Sequence, residues 1–180
     1  MGMDPFNLRK SVTYGARCVV ILSAILATGC HRDRTSALLT TDQSTAVTNG
    51  VRTFAAAVAD DVTKRGPLAW SDHFATTPNF FMAAEGQLVF ANADAAMRGI
   101  ENLPSMIAHL ELRWGEPMLV DPLTPTLAMM AAPYHEVQVD PAGHRVEQNG
   151  YFTGLAELGP AGWKFRNAHW SVIAPTPAAR

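Results

Sequence analysis

The stretch Gly162-Trp163-Lys164-Phe165-Arg166-Asn167-Ala168-His169-Trp170-Ser171-Val172 constrains the fold of this chain more than any other. It alternates with a period of two, which makes it a strand and sets Trp163, Phe165, Asn167, His169 and Ser171 on one face. A face mixing two aromatics with an amide, an imidazole and a hydroxyl does not suit a plain core, because buried polar groups need partners. The strand is therefore expected to line a pocket, with His169 looking into it. Trp170 then falls on the opposite face, at an interface or beneath a neighbouring loop.

The elements before it run helices first, strands second. Val47, Val51, Phe54, Ala55, Val58 and Val62 recur at three and four from Asp42 onward, one buried face of a helix. Lys64 and Arg65 suit its negative end, and Gly66-Pro67 stop it. Pro67 opens a short second helix with Leu68, Trp70 and Phe74 inward. Asn79–Met82 and Gln87–Phe90 read as a hairpin around Glu85-Gly86. Asn92 or Asp94 caps a third helical stretch over Ala95–His109, broken near Pro104. Strands follow at Leu110–Val120, Thr126–Val139, Gly150–Leu158 and Trp163–Ile173. Asp121-Pro122, Asp140–Gly143 and Gly159–Gly162 supply the turns. Helices followed by an antiparallel meander make an α+β layout.

A chain of 180 residues suits one domain with a substantial core. The net charge of −2, with no run of Lys or Arg in the body, argues against a nucleic-acid partner. Both cysteines, Cys18 and Cys30, precede the body, so no disulfide or thiolate metal site is expected in it. The 6 histidines show no metal-ligand spacing, and no phosphate loop or dinucleotide fingerprint occurs, so neither metal nor cofactor is expected.

Arg9, Lys10 and Arg17 precede a short apolar run, Cys18–Ala27, in the order of a secretory signal. The run is shorter than the roughly 20 residues a membrane-spanning helix needs. Leu26-Ala27-Thr28-Gly29-Cys30 resembles the lipobox of bacterial lipoproteins, although Ala27 stands where Leu is usual. The resemblance implies a signal peptide over residues 1–29 and lipidation of Cys30, with the chain held on the periplasmic side of the cell envelope. Several acyl chains suffice for stable anchoring. His31, rather than Asp, follows the cysteine, which by the same resemblance favours the outer membrane of a Gram-negative cell. Residues 30–41 read as a tether, 42–175 as the domain and 176–180 as a disordered tail.

The order of elements, with Gly162-Trp163-Lys164-Phe165, Asn167–Ser171 and Gly150-Tyr151-Phe152-Thr153, resembles the SnoaL-like, nuclear-transport-factor-two-like superfamily. The resemblance implies N-terminal helices packed in the concave face of a curved antiparallel sheet, a cone with an apolar pocket, and a homodimer formed through the outer sheet face. The fold hosts enzymes and non-enzymes alike, so it does not supply a function.

Within such a cone, His169 is the first candidate for a general acid/base. Tyr134 and Glu136 share one face of their strand, with His135 on the other, and meet His169 if they point inward. Trp70, Phe74, Phe81 and Met82 form the expected apolar wall, and Asn167 would orient a polar group of the ligand. Asp72 and His73 are adjacent on a short helix, diverge, and are expected to be solvated. The leading expectation is a lipid-anchored envelope protein whose domain binds a small apolar molecule or serves as an interaction module. The alternatives are an isomerase, cyclase or dehydratase using His169, with Tyr134 donating and Glu136 tuning the imidazole, and a structural protein with a filled cone.

Overall fold

The computed structural model describes residues 38–173. The expected signal segment, Cys30, most of the tether and the tail from residue 174 lie outside them.

Helix α1 spans Thr41–Arg65. Thr40 caps it: its hydroxyl accepts from the Gln43 amide, and Gln43 Oε1 accepts from the Thr40 amide at 2.9 Å, a reciprocal box that satisfies two free donors. Gly66, at φ 77°, supplies the left-handed turn that ends the helix, and Pro67 forbids its continuation. The six residues expected on its inner face are the six that are buried. Pro67–Asp72 is a 3₁₀ turn, not an α-helix. Its period of three sets Pro67 and Trp70 on one side, so Leu68 turns outward and is 48% exposed, against expectation.

Strands β1 (Phe81–Ala84) and β2 (Gln87–Phe90) form the expected hairpin. Helix α2 spans Ala93–Asn102 with Asn92 as its cap, and Leu103–Ser105 closes as a second 3₁₀ turn. The expected stretch to His109 is therefore cut at Pro104, and His109 instead begins β3 (His109–Trp114). Strand β4 (Leu119–Thr124) runs through Asp121-Pro122, where a turn was expected. Among the described residues its only partner is β5 (Leu127–Val139), so Pro122 lies on a sheet edge that needs no second donor. Strands β6 (Arg145–Gly159) and β7 (Gly162–Val172) complete a seven-stranded sheet, ordered β2-β1-β7-β6-β5-β3, with β4 beside β3 along β5. All pairings are antiparallel except β1 with β7, which is parallel. The sheet is thus mixed, not purely antiparallel. Helix α1 packs on β3, β4, β5 and β7, and the indole of Trp114 donates to the Ala55 carbonyl at 2.8 Å.

Strand β7 carries the feature that sets the interior. Leu155 pairs with Asn167 while Ala156 pairs with Phe165, so Arg166 has no partner across the ladder. One extra residue inverts the alternation beyond it. Phe165 is fully buried, as expected. Past the bulge, Ala168 and Trp170 turn inward, and Asn167, His169 and Ser171 move to the convex face. Trp170 then sits at the centre of an aromatic cluster. Its ring lies 4.7 Å from Tyr134, 4.7 Å from Phe152, 5.6 Å from Trp70 and 5.8 Å from Trp114. Phe152, Phe165 and Phe54 carry the packing on to α1.

Candidate functional site

A cavity of about 230 Å³ remains between this cluster and the helical lid. Its apolar wall comes from Trp70 and Phe74 of the first 3₁₀ segment, Met82 of β1, Val89 and Phe90 of β2, Ile100 of α2, and Trp170 and Val172 of β7. Its polar groups are concentrated on β5, β6 and the β1–β2 turn: Tyr134, Glu136, Gln138, Gln148 and Glu85.

Alternation along β5 puts Ala128, Met130, Ala132, Tyr134 and Glu136 on the concave face, all buried. Tyr134 is 4% exposed. Its ring meets Trp170 edge-on at 82° and lies over Gly150 of β6. A Cβ at Gly150 would stand 2.6 Å from the Tyr134 ring and 1.9 Å from the Ser171 carbonyl, so only glycine lets the ring lie there. Among the described residues, no protein group hydrogen-bonds the Tyr134 hydroxyl, which is left to the cavity. Burial, helped by the Glu136 and Glu85 carboxylates, pushes that hydroxyl up to about 12. At neutral pH it is an O–H donor and not a base.

Glu136 is 8% exposed. Its Oε1 accepts from the side-chain amides of Gln138 and of Gln148, the latter at 2.7 Å. Those two bonds hold the carboxylate in place and leave Oε2 without a protein donor among the described residues. The chemistry available is that of a neutral phenol and a fixed carboxylate at one end of an apolar hollow.

The remaining expected site residues divide. Trp70, Phe74 and Met82 line the cavity, as do Tyr134 and Glu136. Phe81 does not: it is 48% exposed, because β1 alternates and Met82 takes the inward place. His169 does not face the cavity either. The bulge at Arg166 puts its imidazole on the convex face, exposed, beside Thr153 of β6 and Ala83 of β1. The expected meeting of His169 with Tyr134 and Glu136 therefore does not occur, and among the described residues no imidazole lines the cavity. Asn167 shares the outer face, where its Nδ2 donates to the Asn79 carbonyl at 3.4 Å, a loop-holding bond. Trp170, expected at an interface or beneath a loop, occupies the interior. His135 points outward as expected, 3.0 Å from Asn149 Oδ1.

His73 was expected in solvent and is buried. Its ring packs 5.9 Å from Phe54, and Nε2 stands 3.0 Å from Asp61 Oδ2 but off the hydrogen-bond axis. Burial holds the imidazole below its ordinary value, outweighing the attraction of Asp61. Asp72 does face solvent, where it pairs with Arg65 at 2.6 Å.

Gln138, Gln148 and Glu85 are not among the site residues expected from the sequence, which reads Glu85 only as part of a turn. Gln138 follows Glu136 by two and shares its face. Gln148 lies opposite Glu136 when the ladder is counted from the Asp140–His144 turn, with Val139 on Arg145 and Glu136 on Gln148. A strand begun at Gly150 conceals that pair, and the polar run Arg145–Asn149 gives no apolar signal to begin it sooner.

No protein-family model and no curated protein matches the chain. Solved structures do match. A nuclear-transport-factor-two-like superfamily protein from Salmonella enterica serovar Typhimurium superposes with a TM-score of 0.58 at 14% identity, over 79% of this chain and 99% of that one. A candidate scytalone dehydratase from Novosphingobium aromaticivorans gives 0.62 at 12% identity, over 78% and 93%. A candidate dehydratase of the same fold family from Streptomyces avermitilis gives 0.61 at 13% identity, over 73% and 99%. The fold is therefore the nuclear-transport-factor-two-like cone, α+β, with a helix against a curved mixed sheet.

Proposed function

We propose that the domain binds a small, largely apolar molecule inside the cone, and that the chain is held on the bacterial envelope by lipid on Cys30. The observation that carries the binding reading is the open cavity onto which the Tyr134 hydroxyl faces with no protein hydrogen bond among the described residues. A hydroxyl that the protein leaves free at the wall of an apolar hollow is available to fix the orientation of a ligand atom. At about 230 Å³ the hollow falls below the roughly 300–1,000 Å³ of drug-sized pockets, so the ligand is fragment-sized. Native mass spectrometry of the protein from its own cells tests this. A small molecule should co-purify at a fixed ratio, and filling the hollow with Ala84→Phe should remove it. Protein that never carries a molecule, with Ala84→Phe stabilising the fold, would identify the hollow as mere imperfect packing.

The anchor reading rests on the sequence around Cys30 alone. Cys30→Ser should release the protein from the membrane fraction; retention would defeat the reading. The dimer reading gains support from the convex face, where Met129 of β5 and Tyr151 of β6 are about two-fifths exposed at 42% and 39%. Cross-strand register places Thr153 and Leu155 of β6 between them.

A second reading, an enzyme of the isomerase or dehydratase kind, is favoured by one arrangement. A phenol that stays protonated stands near a carboxylate with a free oxygen. Tyr134 would donate to a developing enolate oxygen while Glu136 takes the proton. Deuterium uptake from solvent by an enolisable ketone should then be lost in Glu136→Gln and kept in His169→Ala. Equal uptake in all three proteins would end the enzymatic reading.

A further inference from the structure

Every charged group on the cavity wall has the same sign. Glu136 and Glu85 line it, and among the described residues no Lys, Arg or His does. Among the described residues, no cationic side chain approaches either carboxylate within 4.0 Å. A carboxylate as buried as Glu136 is costly unless its charge is compensated, and two neutral amides on one oxygen compensate it in part.

The apolar wall favours the same sign of guest. Trp70, Trp170, Phe74 and Phe90 line the hollow, and the electron-rich faces of aromatic rings attract cations within about 6 Å of the ring centre. The Tyr134 oxygen, with no protein partner among the described residues and in a residue 4% exposed, would accept a hydrogen bond from an N–H donor. An anionic guest would meet two like charges, with only neutral donors such as the Tyr134 hydroxyl and the Gln138 and Gln148 amides to offset them. A neutral hydrocarbon would leave both Glu136 Oε2 and the Tyr134 hydroxyl unsatisfied.

Resting on the binding reading above, we propose that the ligand is a small organic cation: an amine on an apolar skeleton, its ammonium set between Glu136 and Tyr134. The ammonium donates to Glu136 Oε2 and the Tyr134 oxygen, and the skeleton packs on Trp70 and Trp170. No proton transfer is needed, because the amine enters already charged.

Three probes of one shape separate charge from fit: 2-phenylethylamine, 2-phenylethanol and phenylacetate. Each is titrated into the full-length protein at neutral pH while tryptophan emission is followed, since Trp70 and Trp170 line the cavity. The amine should bind about tenfold or more tighter than the alcohol, the effect of one charge-assisted hydrogen bond, and phenylacetate weakest of all. Glu136→Gln should cost the amine about tenfold while leaving the alcohol within about twofold. Glu85→Gln, on the exposed turn, should cost the amine less and should fold in any case. Equal affinity for amine and alcohol, or an amine affinity unmoved by Glu136→Gln, overturns the cation and leaves the cavity a ligand site. Tightest binding of phenylacetate overturns it likewise. If no probe perturbs the tryptophans, the cation and the binding reading fall together.

Discussion

Tyr134 is held by its ring and not by its hydroxyl. The ring meets Trp170 and the bare face of Gly150, while the oxygen makes no hydrogen bond among the described residues. Tyr134→Phe should therefore change stability by less than about 1 kcal/mol, the worth of a hydrogen bond it does not make, as read by urea unfolding. A larger loss would mean that the hydroxyl is internally satisfied. In an ultraviolet titration of phenolate, the step near pH 12 should vanish in the same variant. Gly150→Ala should cost about 1–3 kcal/mol or more, because its Cβ meets backbone as well as ring. His73 sets a separate pH dependence. Its folded value is lowered, so the unfolded chain takes its proton first. That contribution to stability is complete above the ordinary value of 6.5 and is lost as pH falls below it, until the folded imidazole also protonates. Asp72, Glu111 and Asp140 are held below the usual carboxylate range by Arg65, His109 and His144, so their contributions fade only in more acidic solution. Urea midpoints should fall from neutral pH toward about pH 5 in the native protein and stay nearly flat in His73→Gln. Parallel slopes would refute the assignment.

The elements differ in how far their chemistry could be read in advance. Helix α1 was legible because its face is built by repetition: six apolar side chains at three and four leave one way to roll it. The β1–β2 hairpin was legible from Glu85-Gly86, where both residues take positive φ. Strand β7 was legible as a strand, but not in its facing. Its first half obeys the reading, with Phe165 inward. A single bulged residue then exchanges the two faces, and no residue type in Gly162–Val172 marks where that happens. The candidate site suffered accordingly. Tyr134 and Glu136 lie on an uninterrupted strand and point where alternation puts them, while His169 and Asn167 lie beyond the bulge and do not. Two substitutions on neighbouring residues expose the inversion. Trp170→Ala should cost about 3–5 kcal/mol, whereas His169→Ala should change stability by no more than about 0.5 kcal/mol. Calorimetric melting of both would decide it, and a costly His169 with a cheap Trp170 would restore the unbulged strand.

The cone as assembled is shared with proteins at 12–14% identity, so its shape depends on pattern more than on particular residues. What is particular to this chain is the lining, and function follows from that. The convex face extends the argument to association. If two copies meet there, sedimentation of the native protein should give a dimer and Tyr151→Arg a monomer. A native monomer at every concentration would retire the proposal.

One pairing has a temporal consequence. Among the described residues, strand β7 is the sole link between the β1–β2 hairpin and the rest of the sheet, and it also carries Trp170. Because β7 is the final strand of the domain, the ribosome delivers the hairpin long before the seam that receives it exists. Domains fold as units, and the nascent chain can hold α1 and the early hairpin only as unjoined pieces. The hollow thus forms last, once β7 is in place, and whatever guest it takes meets a sheet already closed.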